Sequence, residues 1–145
     1  MSTPDLPLRM KQLKLHGMAS QWPELLAKAR LHAMAPEHWM VELLQAESAE
    51  RQVRAQANQM KAARFPVHRD LLGFQFSGCT VDRTLVERLH EGHFIQTAEN
   101  VVLVGGPGTG KTHLATALGI QAVRQHRLRV RFFSTVELVN ALEKE

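Results

Sequence analysis

A glycine-rich stretch in the second half of the chain has the residue types and spacing of a phosphate-binding loop. Residues 105–112 read Gly-Gly-Pro-Gly-Thr-Gly-Lys-Thr and satisfy the pattern G-x-x-x-x-G-K-[ST]. Glycines permit backbone torsions that turn successive N–H groups towards an anion. The lysine adds a mobile positive charge, and the hydroxyl after it can ligate Mg²⁺. The pattern predicts a site for the phosphates of a nucleoside triphosphate, ATP being the expected one, together with Mg²⁺.

Every residue of this loop has a predicted role in holding the nucleotide. Lys111 is expected to contact the β- and γ-phosphates, and Thr112 is expected to ligate Mg²⁺. A helix predicted from Lys111 to Gln125 adds the partial positive charge of its N-terminus. The backbone of the loop is expected to surround the phosphates through Gly105, Gly106, Pro107, Gly108, Thr109 and Gly110. The apolar face of the helix is predicted to contain Leu114, Ala115, Leu118 and Ala122.

Two runs of strand-forming residues flank this helix and predict an α/β fold. Residues 101–104, Val-Val-Leu-Val, lack polar alternation, which is typical of a parallel strand covered on both faces. Arg129 to Phe133 is predicted as a second strand, and Thr135 is predicted to cap a helix that continues to the end of the chain. The order strand, loop, helix, strand, helix predicts that residues 67–145 are the first part of a P-loop parallel α/β domain.

Residues 1–66 are predicted to form a separate helical region, because they are rich in good helix formers. Gly17 is expected to separate a first helix from a second, with Pro23 in the first turn of the second. A third helix is predicted from Pro36 to Ala63. Packing between these helices is expected to involve Trp22, Leu25, Trp39, Leu43 and Leu44.

The segment between the two regions is predicted to be a linker followed by one short helix. Residues 65–78 contain Pro66, Gly73 and Gly78 together with several apolar side chains that could dock elsewhere. Thr80 is then predicted to cap a helix from about residue 81 to residue 91.

Basic residues give the chain a formal net charge of +4 and suggest a second kind of ligand. On the third helix, Arg51, Arg54, Asn58 and Lys61 share one face, and Arg64 extends the charge beyond the helix. This face predicts either a contact with the phosphate backbone of DNA or a solvated helix surface. A further basic cluster, Arg124, Arg127, Arg129 and Arg131, is more simply explained as a solvated turn.

Composition excludes several other classes of protein. No stretch approaches the roughly 20 apolar residues that a membrane span requires. The N-terminus has no basic region followed by an apolar run, and the one cysteine, Cys79, excludes an internal disulfide. We therefore expect a soluble cytoplasmic protein without a membrane partner.

The loop and its flanks together resemble one family of nucleotide-binding proteins. The segments that carry the resemblance are residues 99–119 and 130–133 around the loop, and residues 13–18, 47–51 and 61–66 in the helical region. They are similar to the IstB-like ATP-binding proteins, which assist the transposase of IS21-type insertion sequences and are related to the helicase loader DnaC. The resemblance implies an AAA+ ATPase that assembles with its own copies on DNA and works with a transposase. Only the loop Gly105 to Thr112 is carried over as a site.

The same resemblance also implies features that this sequence does not contain. An acidic residue at the end of a further apolar strand and an arginine finger would be needed for hydrolysis, and neither occurs before residue 145. We therefore expect either the N-terminal part of a longer ATPase or a product truncated after the second strand. Alone, it is expected to bind nucleotide weakly at best and to hydrolyse it poorly or not at all. Residues 73–76, Gly-Phe-Gln-Phe, also lack the acidic residue expected there.

Three functions remain open from the sequence. The first is an AAA+ helper protein of DNA transposition. The second is a DnaC-type helicase loader in replication. The third is a non-catalytic DNA-binding or assembly remnant, whose DNA binding would not respond to ATP.

Overall fold

The computed structural model of the protein describes residues 5–32 and 34–144. Within these residues the regular elements are α-helices and one short 3-10 turn, and none of the helices is long and apolar enough to span a membrane. The chain forms two compact units, Met1–Ala55 and Gln56–Glu145, and the boundary falls inside the third helix. The helices are α1 Leu6–Gln12, α2 His16–Leu31, α3 Pro36–Ala63, α4 Arg83–His90, α5 His93–Gln96, α6 Lys111–Arg124 and α7 Thr135–Leu142; the 3-10 turn is Leu71–Gly73.

The predicted α/β fold is wrong, because the described residues form no β-strand. A strand needs a neighbour with which to exchange backbone hydrogen bonds. In the second predicted strand, the N–H of Phe132 instead donates to the carbonyl of Ala63 at the end of α3, at 2.8 Å. In the first, Val102 and Val104 are 79% and 91% exposed, so this run is not covered on both faces. The described chain is therefore all-helical.

The first helical unit differs from the prediction at Gly17, which lies inside α2. The break between α1 and α2 falls at residues 13–15, where Lys14 has a φ of 61°. A Cβ on Gly17 would collide with the carbonyl of Ala46 and would lie 2.7 Å from the Cα of Glu47. Gly17 thus lets the backbones of α2 and α3 approach closely. Pro23 lies in the interior of α2, beyond the first turn in which it was predicted.

A buried carboxylate completes the N-terminus of α2. The cap residue Leu15 makes no side-chain hydrogen bond, so the first N–H groups of α2 need another acceptor. Glu47, on α3, accepts from the N–H of Gly17 at 2.9 Å and from the N–H of Met18 at 3.3 Å. Its other oxygen accepts from Nε of Arg51 at 2.7 Å. This contact with Arg51, followed by the two backbone donors, holds the pKa of Glu47 below its ordinary value although burial opposes the shift.

The core of the first unit confirms most of the predicted packing between the N-terminal helices. Leu25 and Leu43 are buried, and the rings of Trp22 and Trp39 meet edge to face with their centroids 5.9 Å apart. Leu44 was predicted to join them, but it is 54% exposed. Helix α3 has the bounds that the sequence predicted. The remaining side chains around this core are Met10, Leu15, Met18 and Met34.

Helix α6 is the most deeply buried element of the second unit. Ile120 and Val123 are 2% and 0% exposed. The predicted apolar face is wrong at two positions, because Ala115 is exposed and Leu118 is only half-buried. The buried residues of α6 are Leu114, Thr116, Ala117, Ile120, Ala122 and Val123. A second cluster packs around the start of α6 and consists of Phe74, Val86 and Leu114 with Leu71, Phe76, Val81 and Leu103.

Two helix starts in the second unit lie close to their predicted positions but use different caps. Helix α4 is capped by Asp82, whose carboxylate accepts from the N–H of Thr84 at 2.9 Å, and not by the predicted Thr80. Helix α7 is capped by Ser134, which forms a reciprocal capping box with Glu137, and not by Thr135. The last described turn of α7 ends at Leu142, and the final residue of the predicted helix, Glu145, lies outside the described residues.

Candidate phosphate-binding loop

Gly110 connects the glycine-rich loop to α6 and can hardly be replaced. It is the N-cap of the helix and has a φ of 88°, in the left-handed region that favours glycine. A Cβ at this position would lie 2.6 Å from Cε2 of Phe74, which is itself buried. The ring of Phe74 therefore packs directly against the backbone at the start of α6. Both the torsion and the close approach require glycine here.

The preceding glycines leave one side of the loop unobstructed. Gly108 also has a left-handed φ of 75°, and neither Gly106 nor Gly108 has any heavy atom within 4 Å of the position of a Cβ. A Cβ on Gly105 would lie 3.0 Å from Oγ1 of Thr109, so the two ends of the loop approach each other. A loop of this kind leaves its backbone open to a close ligand.

Lys111 lies folded over the loop that precedes it. Its Nζ donates hydrogen bonds to the carbonyl of Gly106 and, at 3.3 Å, to the hydroxyl of Thr109. The hydroxyl of Thr109 in turn donates to the same carbonyl at 2.8 Å. The ammonium group is thus held against Gly106 and Thr109 of the loop.

The first turn of α6 adds unpaired backbone donors to the same region. The first α6 hydrogen bond that involves Gly110 runs from the N–H of Leu114 to its carbonyl, at 2.9 Å. The N–H groups at the start of a helix have no partner inside the helix and carry a partial positive charge. Thr112 is exposed in this turn, so its hydroxyl is accessible to a cation held by the phosphates. The residues present fit a Mg²⁺–triphosphate ligand.

A long-range contact that the sequence pattern did not predict supports the start of α6. Nε2–H of His113 donates to the carbonyl of Asp70 at 2.8 Å, which places the imidazole hydrogen on Nε2. The His113 ring also meets the ring of Phe74 edge to face, with the centroids 5.2 Å apart. A cavity of about 270 Å³ opens beside these residues. The apolar residues of the predicted linker were the only sequence signal that this segment docks.

A larger cavity of about 540 Å³ lies towards the other end of α6 and does not include the loop. The 3-10 turn, α4 and the last turns of α6 form its walls, which carry Asp70, Arg83, Glu87 and Arg124. His90 also lines this cavity. Burial lowers the pKa of His90, and the Asp70 carboxylate opposes that shift. If the binding site were chosen by cavity size alone, this cavity would be chosen and the phosphate-binding loop would be missed.

The predicted nucleic-acid residues divide between the two units. In the first unit, Nε of Arg51 donates to Glu47 at 2.7 Å, and Nη2 of Arg54 donates to Glu50 at 2.9 Å. Carboxylates four residues earlier therefore partly neutralise both charges. Lys61 and Arg64 belong to the second unit, and both are exposed. Arg64 has a φ of 54° and follows the last residue of α3.

A glycine loop that opens onto a helix N-terminus, with a lysine in the first turn, is the arrangement of the P-loop class of nucleotide-binding proteins. The profile of the family described as IstB-like ATP binding protein matches residues 8–145. The chain therefore belongs to the IstB-like ATP-binding protein family, as its resemblance implied.

Relatives of this chain come from bacterial insertion sequences. A protein of insertion sequence IS21 in Pseudomonas aeruginosa is 33% identical over 141 residues, which cover 97% of this chain and 53% of the relative. A protein of insertion sequence IS5376 in Geobacillus stearothermophilus is 31% identical over 134 residues, which cover 92% of this chain and 53% of the relative. Both are named for ATP binding. The chain spans about half the length of these curated relatives.

Proposed function

We propose that this chain binds the triphosphate of ATP through residues 105–112. The observation that carries the proposal is the start of α6, where Gly110 begins the helix with a φ of 88° and the ammonium of Lys111 donates back to the carbonyl of Gly106 in the loop. Backbone N–H groups of the loop and of the first helical turn surround the β- and γ-phosphates, and Lys111 neutralises part of their charge. The names of the insertion-sequence relatives support ATP as the nucleotide.

Thr112 is the proposed protein ligand of Mg²⁺. Mg²⁺ is bound in nucleotide sites by few protein oxygens, by water and by the phosphates themselves. The exposed hydroxyl of Thr112, one residue after Lys111, meets that requirement. When bound, the metal would supply charge that neutralises the phosphate oxygens, and the Thr112 hydroxyl would help to hold it there.

The wider role that we propose is that of a cytoplasmic helper protein in DNA transposition. The relatives belong to insertion sequences, which favours this role over that of a replication helicase loader. The partners would be DNA, a transposase and further copies of the chain. On DNA, Lys61 and Arg64 in the second unit would contact backbone phosphates, and so would Arg51 and Arg54 in the first. ATP binding would favour assembly on DNA.

Replacement of Lys111 by alanine tests the nucleotide site. A fluorescent ATP analogue is titrated with Mg²⁺ into the wild type, into Lys111→Ala and into the matched control Lys144→Ala. Hydrogen bonds to charged groups contribute about 1.5–3 kcal/mol, so we expect Lys111→Ala to bind about 10- to 150-fold more weakly. Lys144 is exposed near the end of the second unit, and its variant should bind as the wild type does. Equal affinities for all three proteins would rule out the loop as the phosphate site.

A DNA-binding assay in the same buffers separates the helper role from a non-catalytic remnant. If ATP drives assembly, DNA retention by the wild type rises with ATP and Mg²⁺, and Lys111→Ala abolishes that response. DNA binding that is the same with and without ATP, in both proteins, would contradict the helper role and support the remnant.

A further inference from the structure

A groove in the second unit brings together two arginines and the amide side chains of α3. Its volume is about 340 Å³. Asn58, Gln59 and Ala62 form the α3 side, and the segment from Arg129 to Arg131 forms the other. None of these described lining residues is acidic. Arg129 and Arg131 are two positions apart, and Lys61 lies three residues after Asn58 on the same helical face.

The arginine side of the groove is firmly attached to α3. Nη1 of Arg131 donates to the carbonyl of Ala62 at 3.1 Å, and the N–H of Phe132 donates to the carbonyl of Ala63 at 2.8 Å. These bonds satisfy two of the carbonyl groups that the end of a helix leaves unpaired. The guanidinium of Arg131 also lies 5.4 Å from the centroid of the Phe133 ring. One backbone–backbone bond and one side-chain bond to a backbone carbonyl therefore fix this side of the groove to the end of α3.

The cations around the groove differ in how far they are already engaged. Arg131 is held by α3. Hydrogen bonds from the Ser134 backbone and side chain lower the pKa of Glu137, and the nearby charges of Arg64 and Arg131 add to that shift. Within the described part of the chain, the side chains of Arg129 and Lys61 make no hydrogen bond or ion pair. Two full positive charges therefore remain available beside the amide groups of Asn58 and Gln59.

The geometry points to this groove as a binding site for the phosphate backbone of duplex DNA, with Arg129 as its principal charged contact. Arginine presents several donors in a planar fork that matches a phosphate, and the amides of Asn58 and Gln59 can donate to a neighbouring phosphate or sugar oxygen. The inference rests on the proposed DNA partner and specifies where the second unit would contact it. It assigns Arg129, which the sequence favoured as part of a solvated turn, and it does not involve the phosphate loop.

The salt dependence of DNA binding tests this assignment. The affinity of the full chain for a labelled duplex of arbitrary sequence is measured by fluorescence anisotropy at several salt concentrations. Each phosphate contact that is lost should flatten the plot of log affinity against log salt by about 0.9. When salt is raised from about 50 to 200 mM, the fold-decrease in affinity should therefore be about 3.5 times smaller for Arg129→Gln than for the wild type. Asn58→Ala, which removes no charge, should weaken binding without altering the slope.

Arg88→Gln provides the matched control, because Arg88 is an exposed arginine on α4 of the same unit. We expect it to keep the wild-type slope. The groove is refuted if Arg129→Gln and Arg88→Gln have the same slope. If wild-type binding to duplex DNA depends strongly on salt and Arg129→Gln has the same slope, the groove is refuted but DNA remains the proposed partner. A wild type whose binding does not depend on salt would overturn the DNA partner itself, and titration with an ATP analogue would then still report separately on the loop.

Discussion

Replacing three loop glycines by alanine, one at a time, separates torsional strain from steric collision. Gly106 has neither a left-handed φ nor a neighbour within 4 Å of a Cβ. Gly108 has a left-handed φ of 75° and open space around it. Gly110 has a φ of 88°, and its Cβ would lie 2.6 Å from Cε2 of Phe74. The three variants therefore add the same methyl group to three different environments.

The expected losses in the free energy of unfolding follow from these environments. Gly106→Ala should stay within about 0.5 kcal/mol of the wild type, as an exposed substitution without a conflict does. Gly108→Ala should cost about 1–2 kcal/mol, the price of an L-residue in the left-handed region. Gly110→Ala adds to that strain an overpacking of about 1–3 kcal/mol, because Phe74 is buried and cannot move freely. Its total should be about 2–5 kcal/mol.

Urea unfolding with two optical probes measures these losses. The two tryptophans, Trp22 and Trp39, both lie in the first unit, so their fluorescence reports on that unit. Circular dichroism reports on the helices of both units. We expect the midpoint of the transition seen by circular dichroism to fall in the order Gly106→Ala, Gly108→Ala, Gly110→Ala, while the fluorescence transition stays in place.

Two outcomes would contradict the strain and the collision expected at these glycines. Equal midpoints for the three variants would mean that the loop does not have the described torsions or the Phe74 contact. A tryptophan transition that moved as far as the circular dichroism transition would mean that the loss is not confined to the second unit.

Two further predictions concern the contact between α2 and α3 in the first unit. Gly17→Ala should lower the free energy of unfolding of this unit by about 3 kcal/mol, because its Cβ would meet the backbone at Ala46 and Glu47; an unchanged tryptophan-fluorescence midpoint in urea would contradict it. Glu47 has a folded pKa below its ordinary value of 4.5, so its stabilising effect is complete above pH 4.5 and is lost as the pH falls through the folded pKa. Glu47→Gln should therefore lower the free energy of unfolding at pH 7 by about 1.5–3 kcal/mol. It should also make that free energy fall less as the pH is lowered below 4.5; a fall as steep as that of the wild type would disprove this role.

Local signals in the sequence were sufficient for several elements. The bounds of α3 were confirmed at Pro36 and Ala63, because a proline suits the first turn of a helix and Pro66 disfavours helix just after its end. The left-handed glycines of the loop follow from the motif itself. The helix after the loop begins at Lys111 as predicted, because Gly110 provides the torsion that starts it.

Contacts between distant residues account for what the sequence did not predict. From its neighbours in sequence, Gly17 was predicted to break a helix. In the structure it allows α2 to approach the backbone of α3, 30 residues away. The apolar run at residues 101–104 consists of strand formers. A strand also needs backbone hydrogen bonds to an adjacent strand, and the propensity of its own residues cannot provide them. The support of Gly110 by Phe74 and the bond from His113 to Asp70 depend on tertiary packing, and the motif says nothing about them.

The position of bound ATP on the chain can be mapped residue by residue. In a titration of the ¹⁵N-labelled chain with ATP and Mg²⁺, the backbone amide resonances are followed by NMR. We expect the largest shifts at the amides of residues 105–112, apart from Pro107, which has no N–H, and we expect no movement of the side-chain indole signals of Trp22 and Trp39. Shifts concentrated elsewhere, with the amides of Gly108 to Thr112 unchanged at saturating ATP, would contradict it.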